Sequence, residues 1–527
     1  MKNNRSIISL FLLLFFVACT KASDENKPED NTDNGNTEQL PDIEGVESIM
    51  PVNCTRIARV IGKTPSGETI PNPNQTAQRF QMGSTDFGNM WDAGNGSVFC
   101  VFGDNFNSYG GDWLSNAVAI TTDRNLADGL YYDSMLWDND KNKRKEIIHP
   151  EAGCVTAIPT GGFSVKTGNG TRQYVNYMSI TEWAVNGDND SWSANFSEIV
   201  YSDDYGKTWV KSGVKWSGSS NFVQIAYVVK DKMVYMWGTK AGRHSKACLA
   251  RVPESEVLNK SSYRYWNGAG WSASEDEAEP VTNGEVSEMT VRYNSYFKRY
   301  MMMYLTVNQR KLVFRDAESP EGEWSAEKIV LDGTYGPSIH PWFCDGNNLW
   351  FVSSTVTSNP GVSYDTWHIF LFHADLQPDP DGFNMVWEGG FEYDPEQGIS
   401  YRTLWRADEA STSHAAHSGI NSCKLVNKTP GTWKDACVQT ITVHRNTDYV
   451  LTGYAKSNIK GHVGAYLGAR LPDGTICDTN PPLNPNEWTL ITKEFNSGDN
   501  TSLDVFFGTW GADDLYVLVD DICLKKN

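Results

Sequence analysis

Between about residue 80 and residue 376 the apolar positions come in short β-branched and aromatic runs bounded by Gly, Asn, Asp and Pro, with no long stretch of helical period. The runs fall into five triplets. Their middle members are SVFCVFGDN (97 to 105), RQYVNYMSI (172 to 180), DKMVYMWGT (231 to 239), KRYMMMYLT (298 to 306) and NNLWFVSST (347 to 355). Each is preceded by another run (FQMGSTDFG, EAGCVTAIP, NFVQIAYVV, GEVSEMTVRYN, GPSIHPWF) and followed by a third (SNAVAITTD, FSEIVYSDD, SKACLARVP, KLVFRDAES, WHIFLFHADL). The repeat length, roughly 60 residues, is a little above the ~40 to 50 of propeller blades. The pattern predicts an all-β protein with a five-bladed β-propeller over 45–380, the outer strand of each blade being the least visible; a β-sandwich is the alternative use of such strands.

After Asp375 the segment DLQPDPDGFNMVWEGGFEYD is rich in turn residues and reads as a boundary. Residues 389–527 form a second all-β unit, whose GGFE opening and YVLVDDICLKK close resemble the ends of jelly-roll carbohydrate-binding modules. Trp405, Trp433 and Trp510 are its candidate stacking platforms, with a core position the competing reading for each. The stretch Ser202-x-Asp204-x-Gly206-x-Thr208-Trp209 matches the Asp-box hairpin that recurs in sialidase-like propellers, where its role is structural.

The N-terminus adds a different pattern. Lys2 and Arg5 precede an apolar stretch, Ile7 to Val17, too short to span a bilayer, and Phe16-Val17-Ala18-Cys19 closes it. This resembles a bacterial lipoprotein signal over 1–18, with Cys19 as the lipidated residue. Residues 19–44 then form an acidic tether: 20 to 44 hold eight acids and two lysines and cannot bury a core. Such a stretch after a lipidated Cys resembles a surface-export signal, which implies an outer-membrane lipoprotein exposed on the cell surface.

With 45 Lys and Arg against 65 Asp and Glu, the net charge of −20 makes nucleic acid a poor partner. Nine cysteines follow Cys19; Cys100 and Cys154 lie in apolar runs as small buried groups, while Cys423, Cys437, Cys477 and Cys523 allow two disulfides of unassigned pairing. No zinc spacing, H-E-x-x-H, G-x-S-x-G or phosphate loop appears, so no cofactor is called for. A monomer is expected.

In a propeller the innermost strands converge on an axial funnel. Asp86 in Gly83-Ser84-Thr85-Asp86-Phe87-Gly88 and Asp104 in Phe102-Gly103-Asp104-Asn105 are separated by the interval a hairpin needs to set two strand ends side by side. Two carboxylates facing one substrate are the minimum apparatus for glycoside hydrolysis, one protonating the leaving oxygen and the other activating water or attacking. Trp113, Asn116, Arg243, Glu288 and His340 are candidate substrate-binding neighbours: Trp113 for stacking, Arg243 or Asn116 for hydroxyls, Glu288 for water or a hydroxyl. The competing readings are a core Trp113, an ion-paired Arg243 and a satisfied turn histidine at His340.

The stretch STDFGNMWDAGNGSVFCVFGDNFNSYGGDWLSNAVAITTDRNLADGLYY (84 to 132) resembles a bacterial domain family grouped as glycoside hydrolase family 183. VYMWGTKAGRHSKACLARVPESEVL (234 to 258), SEMTVRYN (287 to 294), AESPEGEWS (317 to 325) and SIHPW (338 to 342) extend the match in order. The resemblance implies a five-bladed propeller with endo-D-arabinanase activity on the α-D-arabinofuranose chains of mycobacterial-type arabinogalactan and lipoarabinomannan. It also implies catalytic carboxylates at Asp86 and Asp104. For such a pair a carboxyl separation of ~6.5 to 9.5 Å indicates inversion and ~5 to 5.5 Å retention, and the expectation here is inversion. Alternatives are another propeller glycosidase, such as a sialidase with an arginine cluster and a Tyr nucleophile, and a non-catalytic glycan-binding surface lipoprotein.

Overall fold

The computed structural model describes residues 43–107, 111–307, 310–357, 366–392, 405–407, 410–426, 429, 431–432, 434–510 and 514–527. Cys19 and Trp433 lie outside the described residues. Five antiparallel sheets follow one another along the chain. The first holds Asn89–Asp92, Val98–Phe102, Ala117–Thr121 and Ser134–Met135. The second holds Thr156–Thr167, Gly170–Trp183, Trp192–Ser202 and Val210–Ser217. The third starts with Gln224–Lys230, Met233–Thr239 and Cys248–Pro253, and the fourth runs Thr290–Asn294, Arg299–Thr306, Lys311–Ala317 and Lys328–Asp332. In the fifth, Tyr335–Ile339, Asn348–Thr357 and Thr366–Pro378 are joined at the outer edge by Ile49–Ile61, the first strand among the described residues.

The middle runs of the triplets are second strands, buried along almost their whole length, as in Val98–Phe102 and Arg299–Thr306. Such strands carry unbroken apolar sequence because both faces pack against other sheets. The leading strand of each sheet packs against that of the next, and that of the fifth against that of the first. The arrangement is propeller-like. In the first sheet the leading strand is Asn89–Asp92 and not the preceding 80–88 run, which instead contributes Ser84–Thr85 to a short ladder with Asn105–Phe106. The hairpin at 202–209 is built by side chains: Ser202 Oγ accepts from the Gly206 amide at 2.8 Å, and Asp204 accepts from the Thr208 amide (2.8 Å) and hydroxyl (2.6 Å). Gly206 at φ 87° makes the turn without Cβ strain.

Strands from Arg406–Ala407 to Val517–Lys526 form two five-stranded sheets around one core that includes Phe391, Trp405, Tyr449, Leu451 and Phe507. The sandwich is fastened to the five-sheet region: Arg445 pairs with Glu279 at 3.1 Å, Thr442 donates to the Thr282 carbonyl at 2.9 Å, and His444 meets Trp266 edge-on. All nine described cysteines are thiols, so neither C-terminal bridge is formed, although Cys423 and Cys437 face each other across the core with Sγ atoms 3.9 Å apart. Trp405 is a core residue, its indole donating to the Trp387 carbonyl at 3.1 Å, whereas Trp510 is half exposed.

Candidate active site

The short ladder pairs Ser84 with Phe106 and Thr85 with Asn105, which sets Asp86 beside Gly103 and Asp104. Three features lock this corner. Thr85 Oγ1 donates to the Asp104 carbonyl at 2.9 Å. Phe87 takes a left-handed φ of 53°, turning the chain directly after the carboxylate. Gly103 lies so close that a Cβ there would meet Asp86 Oδ1 at 3.3 Å and the Phe87 ring at 3.3 Å. Beneath, the fully buried Arg144 donates to the side chain and carbonyl of Asn105 and to Asp112, tying the strand end to the loop that carries Trp113.

Both carboxylates face one cavity of about 600 Å³. Burial, reinforced by the charges of Asp104 and Glu288, pushes the Asp86 carboxyl up to about 8, against the opposing pull of Arg243 and of the Tyr335 hydroxyl 3.4 Å away. Burial also raises Asp104, to about 6, where hydrogen bonds to Oδ1 from Thr156 (2.5 Å) and the Trp113 indole (2.9 Å) hold it lower. Oδ2 of Asp104 takes no hydrogen bond from the described residues. Two neighbouring carboxyls thus differ in proton affinity, one protonated and one ionised near neutral pH, as acid–base work on a glycosidic bond requires.

Arg243 and Glu288 also line the cavity, engaged with each other: Arg243 Nε reaches Glu288 Oε2 at 3.0 Å and Nη2 reaches Oε1 at 2.6 Å. A third partner, Asp190, accepts from Arg243 at 2.7 Å and from both terminal nitrogens of Arg310 at 3.0 and 2.6 Å. Trp113 is 40% exposed and serves Asp104 through its indole N–H.

Two expected neighbours are elsewhere. Asn116 is fully buried, with its amide on the Ile148 and Ala157 carbonyls and its oxygen on the Ile147 and Ile148 amides, so nothing remains for a sugar hydroxyl. His340 is also buried and follows the far end of the strand whose first residue, Tyr335, lines the cavity. Burial, with the charges of Arg292 and Arg124, lowers its imidazole to about 3, and Nδ1 accepts from the Trp342 amide at 3.3 Å. Sequence reasoning missed Asp190, Arg310 and Tyr335, along with the aromatic walls Trp183, Trp192 and Trp367. No local signal marks them, since they come from separate loops and strand ends. Among the described residues no group of His, Cys, Asp or Glu is placed to hold a metal ion.

Residues 71–369 match the family model described as "Domain of unknown function (DUF4185)", and residues 384–514 match that of a "Carbohydrate binding domain". The chain is 26% identical over 332 residues to Notoamide biosynthesis cluster protein J of Aspergillus sp. (strain MF297-2), a match covering 56% of this chain and 86% of that protein. Among solved structures, the exo-beta-1,3-galactanase of Phanerochaete chrysosporium aligns with 91% of this chain and 100% of its own, at 10% identity and a TM-score of 0.38. The glycoside hydrolase family 43 arabinoxylan arabinofuranohydrolase of Bacillus subtilis aligns with 86% of this chain and 100% of its own, at 12% identity and a TM-score of 0.35.

Proposed function

The chain belongs to the family described as a domain of unknown function (DUF4185), and from that premise we propose that it is an endo-acting glycoside hydrolase cleaving α-D-arabinofuranosyl linkages in D-arabinan. The five sheets are read as the blades of a five-bladed propeller clasped by Ile49–Ile61. The observation that carries the enzymatic reading is the Asp86 and Asp104 pair, set side by side in one cavity and raised to about 8 and 6. The substrate follows from the resemblance of 84–132 and the later motifs to glycoside hydrolase family 183. The match of 384–514 to a carbohydrate-binding model supports a polysaccharide. Cys19 is proposed as the lipid anchor of a protein displayed on the outer membrane.

Asp86, protonated at neutral pH, donates its proton to the leaving glycosidic oxygen as the C1–O bond breaks. Asp104, ionised and with Oδ2 unengaged, accepts a proton from the water that attacks C1, so the net reaction adds one water across the bond and returns both carboxyls by proton exchange with solvent. Arg243 moderates the negative charge around Asp86. A sialidase-like reading needs arginines free to hold a substrate carboxylate, and here Arg243 and Arg310 are spent on Glu288 and Asp190.

The test is incubation of residues 45–527 with mycobacterial-type arabinogalactan, beside Asp86→Asn and Asp104→Asn, with products separated by size and the anomer first released read by NMR. Oligosaccharides from the parent alone support the reading. A parent that binds the polymer and releases nothing transfers the protein to the glycan-binding class.

A further inference from the structure

The carboxylate pair flanks the leading hairpin of the first sheet, Asp86 just before Asn89–Asp92 and Asp104 just after Val98–Phe102, and the ring of leading strands fixes the neighbouring sheets. Asn89–Asp92 packs against Thr156–Thr167 of the second sheet on one side and Tyr335–Ile339 of the fifth on the other. Each neighbour sends a tryptophan into the cavity that holds Asp86 and Asp104. Trp183 ends the strand Gly170–Trp183 of the second sheet, and Trp367 lies near the start of Thr366–Pro378 of the fifth.

Both rings are braced. Trp183 is 41% exposed and stands edge-on to its cross-strand partner Trp192 at 5.6 Å, while the Arg243 guanidinium lies 5.2 Å from the Trp192 ring. On the other side, the Trp367 amide donates to Ser84 Oγ at 3.2 Å and that hydroxyl donates back to the Trp367 carbonyl at 3.1 Å. The Trp367 ring is stacked with Phe106 at 6.5 Å and 21°. Ser84 and Phe106 are a cross-strand pair that flanks Asp86 and Asp104 by two residues each. The Trp367 platform is therefore fastened to the segments that carry the carboxylates.

Both indoles line the cavity, Trp183 exposed and Trp367 half-buried, and an indole held rigidly at a cleft wall offers an apolar face on which the C–H face of a sugar ring stacks at low entropy cost. We propose that Trp183 and Trp367 are two opposed glycan-stacking platforms, so that a sugar chain lies across the first sheet from the fifth to the second and is cut between them. This rests on the glycosidase reading of the site and adds to it the path of the chain and the reason for internal cleavage: sugars are gripped on both sides of the broken bond.

The test uses a ladder of α-linked arabinofuranose oligosaccharides labelled at the reducing end, with Trp183→Ala and Trp367→Ala compared with the parent. Each variant loses about tenfold in kcat/KM on the longest chains. The position of the cut moves toward one end in Trp183→Ala and toward the opposite end in Trp367→Ala. Phe at either position restores most of the rate. Shifts in the same direction, or an unchanged product pattern, overturn the proposal. Binding of the same ladder to Asp86→Asn, read by titration calorimetry, separates it from the catalytic reading. If the parent cuts nothing, that reading fails, yet the platforms stand if both Trp→Ala changes weaken binding in this background and fall if neither does.

Discussion

Holding a proton on Asp86 at neutral pH costs folding energy, and replacing the group returns it. In the unfolded chain an aspartate titrates near 3.8, whereas in the folded protein burial and the charges of Asp104 and Glu288 push Asp86 up to about 8. Between those two values the unfolded chain has released the proton and the folded one retains it, so stability falls as pH rises, by about 1.4 kcal/mol per pH unit. The deficit is absent below the unfolded value, reaches about 4 kcal/mol at pH 7 and levels off above about 8. Asparagine keeps the shape and cannot ionise. Asp86→Asn is therefore expected to abolish turnover while stabilising the protein. At an unfolding entropy of roughly 2 cal/mol/K per residue, about 4 kcal/mol spread over ~300 residues raises Tm by about 6 °C near neutral pH. The gain shrinks to about 3 °C near pH 5. Differential scanning calorimetry of both proteins across that range, following the same transition, measures the gain. A variant no more stable than the parent at pH 7, or a gap that does not widen with pH, refutes the assignment of Asp86 as a buried, protonated acid.

Activity against pH should be bell-shaped, rising as Asp104 ionises through about 6 and falling as Asp86 loses its proton through about 8; initial rates on arabinogalactan across that range show whether both limbs exist. Arg243→Met leaves Glu288 without its ion-pair partner and Asp190 with Arg310 alone, a loss of about 3–5 kcal/mol by analogy with other broken buried pairs, to be read as a lowered Tm that Arg243→Lys only partly recovers. Gly103→Ala drives a methyl against Asp86 Oδ1 and the Phe87 ring, and should cut kcat by more than about tenfold, with circular dichroism reporting an intact fold. Asp204→Ala removes the acceptor of the Thr208 amide and hydroxyl and should cost about 1–2 kcal/mol of stability without changing kcat.

Strands packed on both faces are legible in the sequence because no polar residue interrupts them: KRYMMMYLT and SVFCVFGDN could hardly be anything else. The first leading strand is hard to place from sequence because Asn-Met-Trp-Asp carries only two apolar residues, while the more apolar run before it is spent on a two-residue ladder and a left-handed turn. Ile49–Ile61 is invisible to the triplet pattern because this outer strand bulges, so its apolar residues look like those of any loop. The hairpin interval between Asp86 and Asp104 was readable. The direction of a polar side chain was not: Asn116 turns inward to satisfy backbone amides, and His340 sits at the wrong end of its strand. Asp190 and Arg310 meet across 120 residues of chain, a distance over which a single sequence offers no pairing signal.

The strand Ile49–Ile61 also sets the order in which the molecule can be made. Ile49 pairs with Pro378 and Ile61 with Ile369, so a strand made early waits for one that emerges more than 300 residues later. Loop closure of that span is slow and entropically costly, and until it happens the last sheet lacks its outer edge. This sheet can be completed only after the whole of 49–378 has been synthesised. A truncated product that stops short of Thr366–Pro378 would present Ile49–Ile61 as an unpaired edge for holdases and proteases to recognise.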